Sequence, residues 1–324
     1  MNHPIDNLRS TRSQAERFPE SLRGILLPIT TPFTSDEEID SKGLQANLRF
    51  WNASGIVGYV VLGSTGERVN LDERECQLVI EAARAEVPRE LSFIVGAGQE
   101  SRRGTINEIK RATAAGADAV LVITPHFYRA AITQKALVDH YLAVADSAPV
   151  PVMLYSMPDL TGIRIEPETA AQLSQHSNII GIKDSSAQVA KLRETIRLTP
   201  AGFAVLTGNG TVLSEALGAG ARGGILAVGC VATAICVAIF RAVELGDSAR
   251  AAMLQVGLTP LAKAVTTQFG IGGLKAALEM KGLAGGAVRA PLMGRTDLER
   301  DEIRRCLVDA EQALEEIAVE ATPK

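Results

Sequence analysis

Short apolar runs alternate with segments of helical period along the chain up to about residue 245. The runs are rich in valine and isoleucine and are almost continuously hydrophobic, which is typical of parallel strands buried on both faces. They predict strands at residues 24–30, 57–63, 92–98, 118–124, 151–155, 179–183, 203–208 and 223–228. In the intervening segments, such as 40–54, 72–87 and 101–116, apolar residues recur every three or four positions, as on an amphipathic helix.

Eight strands that are each followed by a helix predict an α/β fold of the (β/α)8 TIM-barrel type. Gly55, Gly116 and Gly220 stand where the predicted helices end, as C-terminal capping glycines do. A doubly wound open sheet is the alternative fold. It is disfavoured because the segment 95–101, VGAGQES, holds only the first part of the G-x-G-x-x-G fingerprint.

No strand is predicted beyond residue 245. Apolar periodicity there predicts four helices, at residues 247–256, 259–269, 273–283 and 297–318. The predicted organisation is therefore an N-terminal arm (1–22), a catalytic barrel (23–245) and a C-terminal helical domain (246–324).

Composition narrows the classes of function. Of the 324 residues, 46% are hydrophobic and 22% are charged, which is ordinary for a soluble globular protein. The formal net charge of -4 and the aromatic content of 4% argue against a nucleic-acid partner. The longest apolar run, 225–240, is too short to span a bilayer and reads as a buried strand followed by a buried helix.

Cysteine usage and the N-terminus bear on location. None of the four cysteines forms a C-x-x-C pair, so we expect reduced thiols in an intracellular protein. The N-terminus has no apolar segment of the secretory type. We expect a cytoplasmic protein, with the mitochondrial matrix as the alternative.

The active site of a TIM barrel lies at the C-terminal ends of its strands, and three features stand there. Lys183 ends the sixth predicted strand. Burial disfavours its ammonium form, and a neutral amine can attack a ketone to form an imine. Tyr155 ends the fifth strand, beside Lys183, and could transfer protons. A lysine that reaches solvent and a core tyrosine are the structural alternatives.

The third feature is the segment GSTGE, residues 63–67, after the second strand. Two hydroxyl groups and the exposed backbone N–H groups between two glycines could bind a carboxylate. A plain glycine-rich turn is the alternative. Glu67 could be a base, but an acid that opens a helix is equally well explained by the helix dipole.

Metal chemistry has little support in the sequence. No H-E-x-x-H motif occurs, and the four histidines show no ligand spacing. Asp184 follows Lys183 without a second carboxylate in a helpful register. We therefore expect no metal and no cofactor.

Taken together, these residues resemble the dihydrodipicolinate synthase / N-acetylneuraminate lyase family. The motifs GSTGE, LYSMPDLTG and GIKDSS occur in that order, and the resemblance runs from GILLPITTPFTSDEEID to GGLKAALEMKGLAGGAVRAPL. It implies a metal-free class I aldolase in which Lys183 forms an imine with pyruvate and Tyr155 transfers protons.

The resemblance also implies roles for further residues. Ser64 and Thr65 would bind the pyruvate carboxylate and relay protons, and the backbone at Gly208 and Ile225 would line the pocket. The expected assembly is a homotetramer, built as a dimer of dimers, that needs no cofactor.

Two departures bear on the subfamily. Dihydrodipicolinate synthases carry an arginine before the Thr-Gly that follows the fifth strand, where it binds the second substrate's carboxylate; here this residue is Leu160. Phe127 stands at the position of their relay tyrosine, with Tyr128 next to it. Either Tyr128 replaces the relay tyrosine from a shifted backbone and binds substrate, or the relay is incomplete.

The segments TPHFYR, LSQHSNIIGIKDS and AVTTQFGIGGLK are most similar to 4-hydroxy-2-oxoglutarate aldolase, which cleaves a 4-hydroxy-2-oxo acid into pyruvate and an aldehyde. A dihydrodipicolinate synthase-type condensing enzyme and a 2-keto-3-deoxy sugar acid aldolase or dehydratase remain open on the same imine. A non-catalytic protein that binds sugar acids is the alternative of another class.

Overall fold

Eight parallel strands close into one barrel in chain order, so the predicted TIM barrel is confirmed and the open sheet is wrong. The computed structural model describes residues 18–320. The strands are β1 (Gly24–Pro28), β2 (Gly58–Val61), β3 (Ser92–Ala97), β4 (Ala119–Ile123), β5 (Val152–Ser156), β6 (Ile179–Asp184), β7 (Ala204–Thr207) and β8 (Gly223–Ile225).

Helices follow the strands as the periodicity predicts. Those of the barrel are α1 (Ser41–Trp51), α2 (Glu73–Glu86), α3 (Arg102–Ala114), α4 (Gln134–Ser147), α5 (Pro158–Thr161), α6 (Pro167–Leu173), α7 (Val189–Leu198), α8 (Leu213–Gly218) and α9 (Thr233–Glu244). The C-terminal helices are α10 (Ser248–Lys263), α11 (Gly270–Met280) and α12 (Asp297–Glu320).

Apolar side chains form two layers. The larger one packs between the strands and the helices, and the smaller one fills the barrel interior, with Leu26, Val60, Met153 and Leu206 among its members. A short 3-10 helix, Phe18–Leu22, adds two side chains to the interior layer. It lies at the N-terminal end of the barrel, where Ser21 hydrogen bonds to Ser92 at the start of β3 (2.9 Å). The open end is therefore the C-terminal one, which we call the barrel mouth.

The main error in the predicted elements lies in the C-terminal region. Residues 247–256 and 259–269 were expected as two helices, but α10 runs unbroken from Ser248 to Lys263 and contains Pro260. Gly257 lets α10 pack closely against α12, because a Cβ at this position would lie 2.4 Å from the Cβ of Ala313 on α12. A short π-helical segment, Ala264–Gln268, then leads to α11.

The predictions made from composition concern the cysteines and a membrane span. The four cysteines form no disulfide, as expected. Between residues 18 and 320, no helix is both long and apolar enough to cross a membrane. Residues 1–17 of the predicted arm lie outside the described residues, and the division into arm, barrel and helical domain stays a prediction.

Candidate active site

Lys183 and Tyr155 face each other at the barrel mouth. They are register partners on the neighbouring strands β5 and β6, so their side chains lie on the same side of the sheet. Only 5% of Lys183 and 4% of Tyr155 is exposed. The Nζ of Lys183 lies 4.4 Å from the centre of the Tyr155 ring. The expected placement of a lysine with an apolar surrounding beside a phenol is confirmed, whereas the roles of both residues stay predictions.

Gly208, directly after β7, makes room for the lysine. A Cβ at this position would lie 2.7 Å from the Cε of Lys183 and 2.0 Å from the Oγ of Ser185. The backbone N–H of Gly208 donates to the carbonyl of Asp184 (2.6 Å), which holds the glycine against the end of β6. Any other residue would displace the lysine stem, so the position of the amine depends on this glycine. Ser185 was not expected at this place from the sequence, although it lies within the GIKDSS motif.

The GSTGE turn reaches the same place from β2. The hydroxyls of Ser64 and Tyr155 lie 3.4 Å apart, and Thr65 is buried. The turn is bracketed by Leu62 and Glu67, whose φ angles of 57° and 55° lie in the left-handed region. This conformation is uncommon for residues with a Cβ and is retained only where the surroundings hold it.

Glu67 is the residue through which the turn is held. Its Oε1 lies 2.6 Å from the Nζ of Lys275 on α11, and their side chains are 1% and 2% exposed. Lys275 also donates to the carbonyl of Ala287 (2.5 Å) and lies 4.4 Å from the ring centre of Phe33. Burial lowers the pKa of Lys275, and the ion pair with Glu67 opposes that shift. The buried ion pair of Glu67 was expected neither from its interpretation as a base nor from its interpretation as an acid that opens a helix.

Arg289, in the C-terminal region, also binds Glu67. Its backbone N–H donates to Oε2 of Glu67 (3.1 Å), and its guanidinium binds both oxygens of Glu75 (2.7 and 2.8 Å). The hydrogen bonds from Arg289 lower the pKa of Glu75. Neither Lys275 nor Arg289 was expected from the sequence. A signal was present for Lys275, because it is a single lysine in the otherwise apolar run GGLKAAL, residues 272–278.

The loop after β4 is exposed. Phe127 and Tyr128 are 74% and 72% exposed, and their rings meet edge to face at 5.1 Å. Within residues 18–320, the Tyr128 hydroxyl makes no hydrogen bond, so this chain alone does not bring Tyr128 to Tyr155. Glu100 holds the loop by accepting from the backbone N–H groups of His126 and Phe127 (both 2.9 Å).

Ile225 and Leu160, which the sequence also singled out, differ in burial. Ile225 is fully buried in the barrel interior, in the same apolar cluster as Tyr155. Leu160, after β5, is 57% exposed. In the described part of the chain, histidine, cysteine and acidic residues form no group of three that could hold a metal ion.

The buried ion pair leads to a prediction about stability. Replacing Lys275 by Met leaves the Glu67 carboxylate buried without its partner, so the free energy of unfolding should fall by about 3–5 kcal/mol. Urea unfolding of Lys275→Met and Glu67→Gln measures this loss, and the double variant should recover part of it. Lys135→Met, which breaks the exposed pair with Asp139, is the matched control and should unfold like the wild type. A Lys275→Met protein as stable as the wild type would contradict the prediction.

Comparison with known proteins agrees with this geometry. Residues 21–310 match the Dihydrodipicolinate synthetase family. A 4-hydroxy-tetrahydrodipicolinate synthase of Syntrophus aciditrophicus is 35% identical over 285 residues, which cover 88% of this chain and 97% of that protein.

Solved structures show the same likeness. A prophage protein of the dihydrodipicolinic acid synthase family from E. coli K12, in complex with pyruvate, has a TM-score of 0.83 and 31% identity over 89% of this chain and 98% of its own. A dihydrodipicolinate synthase from Acinetobacter baumannii, complexed with pyruvate, has a TM-score of 0.85 and 29% identity over 90% and 99% of the two chains. This chain therefore belongs to the dihydrodipicolinate synthase family of lyase-type enzymes.

Proposed function

We propose that this protein is a pyruvate-dependent class I aldolase in which Lys183 carries a 2-oxo acid as an imine. The observation that carries the proposal is the position of the lysine amine, which is buried, packed over the Tyr155 ring and given space by Gly208. Solved relatives that hold pyruvate support the same substrate here.

The chemistry starts at the lysine nitrogen. The neutral amine adds to the keto carbon. The resulting carbinolamine takes a proton from the Tyr155 hydroxyl and loses water, which leaves the protonated imine and the Tyr155 phenolate. In a 4-hydroxy-2-oxo acid, the bond between C3 and C4 then breaks, and its electron pair moves to the imine nitrogen. The C4 hydroxyl loses its proton to Tyr155 and leaves as an aldehyde. The remaining enamine takes a proton at C3, and water releases pyruvate from Lys183.

The GSTGE turn would supply the rest of the pocket. Ser64 and Thr65 would bind the carboxylate next to the imine, and the contact between Ser64 and the Tyr155 hydroxyl gives a route for protons. The backbone of Gly208 and Ile225 would line the pocket, and Tyr128 would contact substrate if the exposed loop after β4 closed over it. Assembly into a homotetramer, a dimer of dimers, belongs to the same proposal.

The preferred substrate is a 4-hydroxy-2-oxo acid such as 4-hydroxy-2-oxoglutarate. Leu160 supports this choice, since the exposed turn after β5 presents a leucine where a condensing enzyme would need a cation. A condensing synthase is the second candidate, and the names of relatives such as the Syntrophus aciditrophicus protein favour it.

Borohydride reduction tests the imine directly. After incubation with pyruvate and reduction, the wild-type protein should gain the mass of one reduced pyruvate, and Lys183→Ala should gain none, because it lacks the amine. Intact-protein mass spectrometry measures both. Lys191→Ala, which removes a surface lysine paired with Glu166, should keep the adduct. An adduct that persists in Lys183→Ala would refute the assignment.

Replacement of Tyr155 by Phe separates imine formation from turnover. The variant should still form some imine yet lose turnover by about 10²-fold or more, since it lacks the proton-transferring hydroxyl. Pyruvate release under saturating substrate measures turnover. Tyr141→Phe is the matched control, because Tyr141 is equally buried but donates to the carbonyl of Val122. Equal turnover in Tyr155→Phe and the wild type would remove Tyr155 from its role.

Product analysis distinguishes the candidate reactions. An aldolase should release pyruvate and an aldehyde from 4-hydroxy-2-oxo acids, because cleavage of the bond between C3 and C4 yields these two products. A dehydratase would yield a dehydrated acid, and a condensing synthase would consume pyruvate only with a second, amino-bearing aldehyde. Chromatography of reactions with a panel of substrates identifies the products, and the absence of an aldehyde would contradict the aldolase.

A further inference from the structure

Helix α5, which opens the loop after β5, carries no cation, and Arg164 follows it later in the same loop, half-buried. Helix α5 (Pro158–Thr161) begins three residues after Tyr155 and is closed by the backbone N–H of Gly162, which donates to the carbonyl of Pro158 (2.7 Å). Its side chains are apolar, neutral or acidic, and Leu160 is exposed at its surface. A positive charge beside α5 therefore comes from a residue outside this helix.

Arg129 brings such a charge from the loop after β4. A Cβ built on Gly162 would lie 3.1 Å from Cδ, 3.2 Å from Nε and 3.3 Å from Nη1 of Arg129. The arginine side chain therefore lies along the turn after β5 and packs on the glycine. Gly162 has a φ of 69°, so both its backbone conformation and the adjacent guanidinium favour glycine.

Among the described residues, no acid pairs with this guanidinium. Arg129 is exposed, and in the described part of the chain its side chain makes no ion pair and no hydrogen bond. Neighbouring acids have other partners, because Glu100 binds the loop backbone and His126, and Glu166 binds Lys191. Asp159, on the same turn, forms no ion pair with Arg129. The guanidinium is thus available to an anion.

We propose that Arg129 binds the distal carboxylate of a dicarboxylic 2-oxo acid whose keto carbon is joined to Lys183. This assignment rests on the proposed imine, and it specifies the class of substrate. A guanidinium offers two parallel N–H donors that match a carboxylate. The turn on which it packs follows the strand of Tyr155, so the arginine would face the end of the substrate that leaves as the aldehyde. That aldehyde would then carry its own carboxylate.

Imine trapping with three probes tests this assignment without any need for turnover. The probes are pyruvate, 2-oxoglutarate and 2-oxopentanoate, of which the last two have equal chain length and differ in the distal carboxylate. The measured quantity is the probe concentration at half-maximal borohydride-trapped adduct. In Arg129→Gln, this concentration should rise about tenfold to hundredfold for 2-oxoglutarate, in keeping with a lost charge-assisted hydrogen bond, and stay unchanged for the other two.

Two further variants sharpen the result. Arg129→Lys keeps the charge but loses the paired donors, so it should restore part of the affinity for 2-oxoglutarate. Arg305→Gln, which removes an exposed arginine on α12, should match the wild type with all three probes.

Failure of this inference differs from failure of the proposed function. If Arg129→Gln traps 2-oxoglutarate as well as the wild type does, or weakens all three probes equally, Arg129 does not read the distal carboxylate. If the wild-type protein traps no pyruvate, the imine itself is refuted, and the assignment of Arg129 is refuted with it.

Discussion

The buried ion pair between Glu67 and Lys275 is the constraint on which the barrel mouth depends. It joins the turn after β2 to helix α11, so the C-terminal helices hold a loop of the barrel from outside the sheet. Either charge alone would be strongly destabilising, because the side chains of Glu67 and Lys275 are only 1% and 2% exposed. Together they are stable, because the two charges are opposite and each side chain has a further hydrogen bond, Lys275 to the carbonyl of Ala287 and Glu67 from the backbone N–H of Arg289. Arg289 and Phe33 enclose the pair, so the turn that carries Ser64 and Thr65 has one defined position relative to the strands.

Backbone strain is concentrated in the same region. In the described residues, the four non-glycine positions with positive φ are Glu37, Leu62, Glu67 and Ala187, and all lie in loops at the mouth. Each such conformation costs on the order of 1–3 kcal/mol and persists where tertiary contacts override local preference. For Glu67 the contact is the ion pair, and for the turn as a whole it includes the hydrogen bond from the Thr31 hydroxyl to the carbonyl of Gly66 (2.8 Å).

Much of this arrangement could be predicted from the sequence, because the barrel arises from local, periodic information. Eight apolar runs with helical segments between them lead to one closed sheet, and strand ends then place Lys183 beside Tyr155. What could not be predicted depends on contacts between distant segments. The pairing of Glu67 with Lys275 joins residues 208 positions apart, and the role of Gly257 depends on a helix that follows much later. A glycine or a lysine has the same local signal whether it breaks a helix, reaches solvent or packs tightly.

The two sides of the barrel mouth differ in how tightly their residues are enclosed. On one side, Gly208, the strained turn after β2 and the ion pair are enclosed by other residues, so a replacement there would force its neighbours to move. On the other, Phe127, Tyr128 and Leu160 are largely exposed and carry little of the folding energy. Random substitutions would therefore be tolerated mainly on the second side. Descendants of one ancestor could thus diverge in these loops, while Lys183, Tyr155 and the residues that hold them in place were inherited intact.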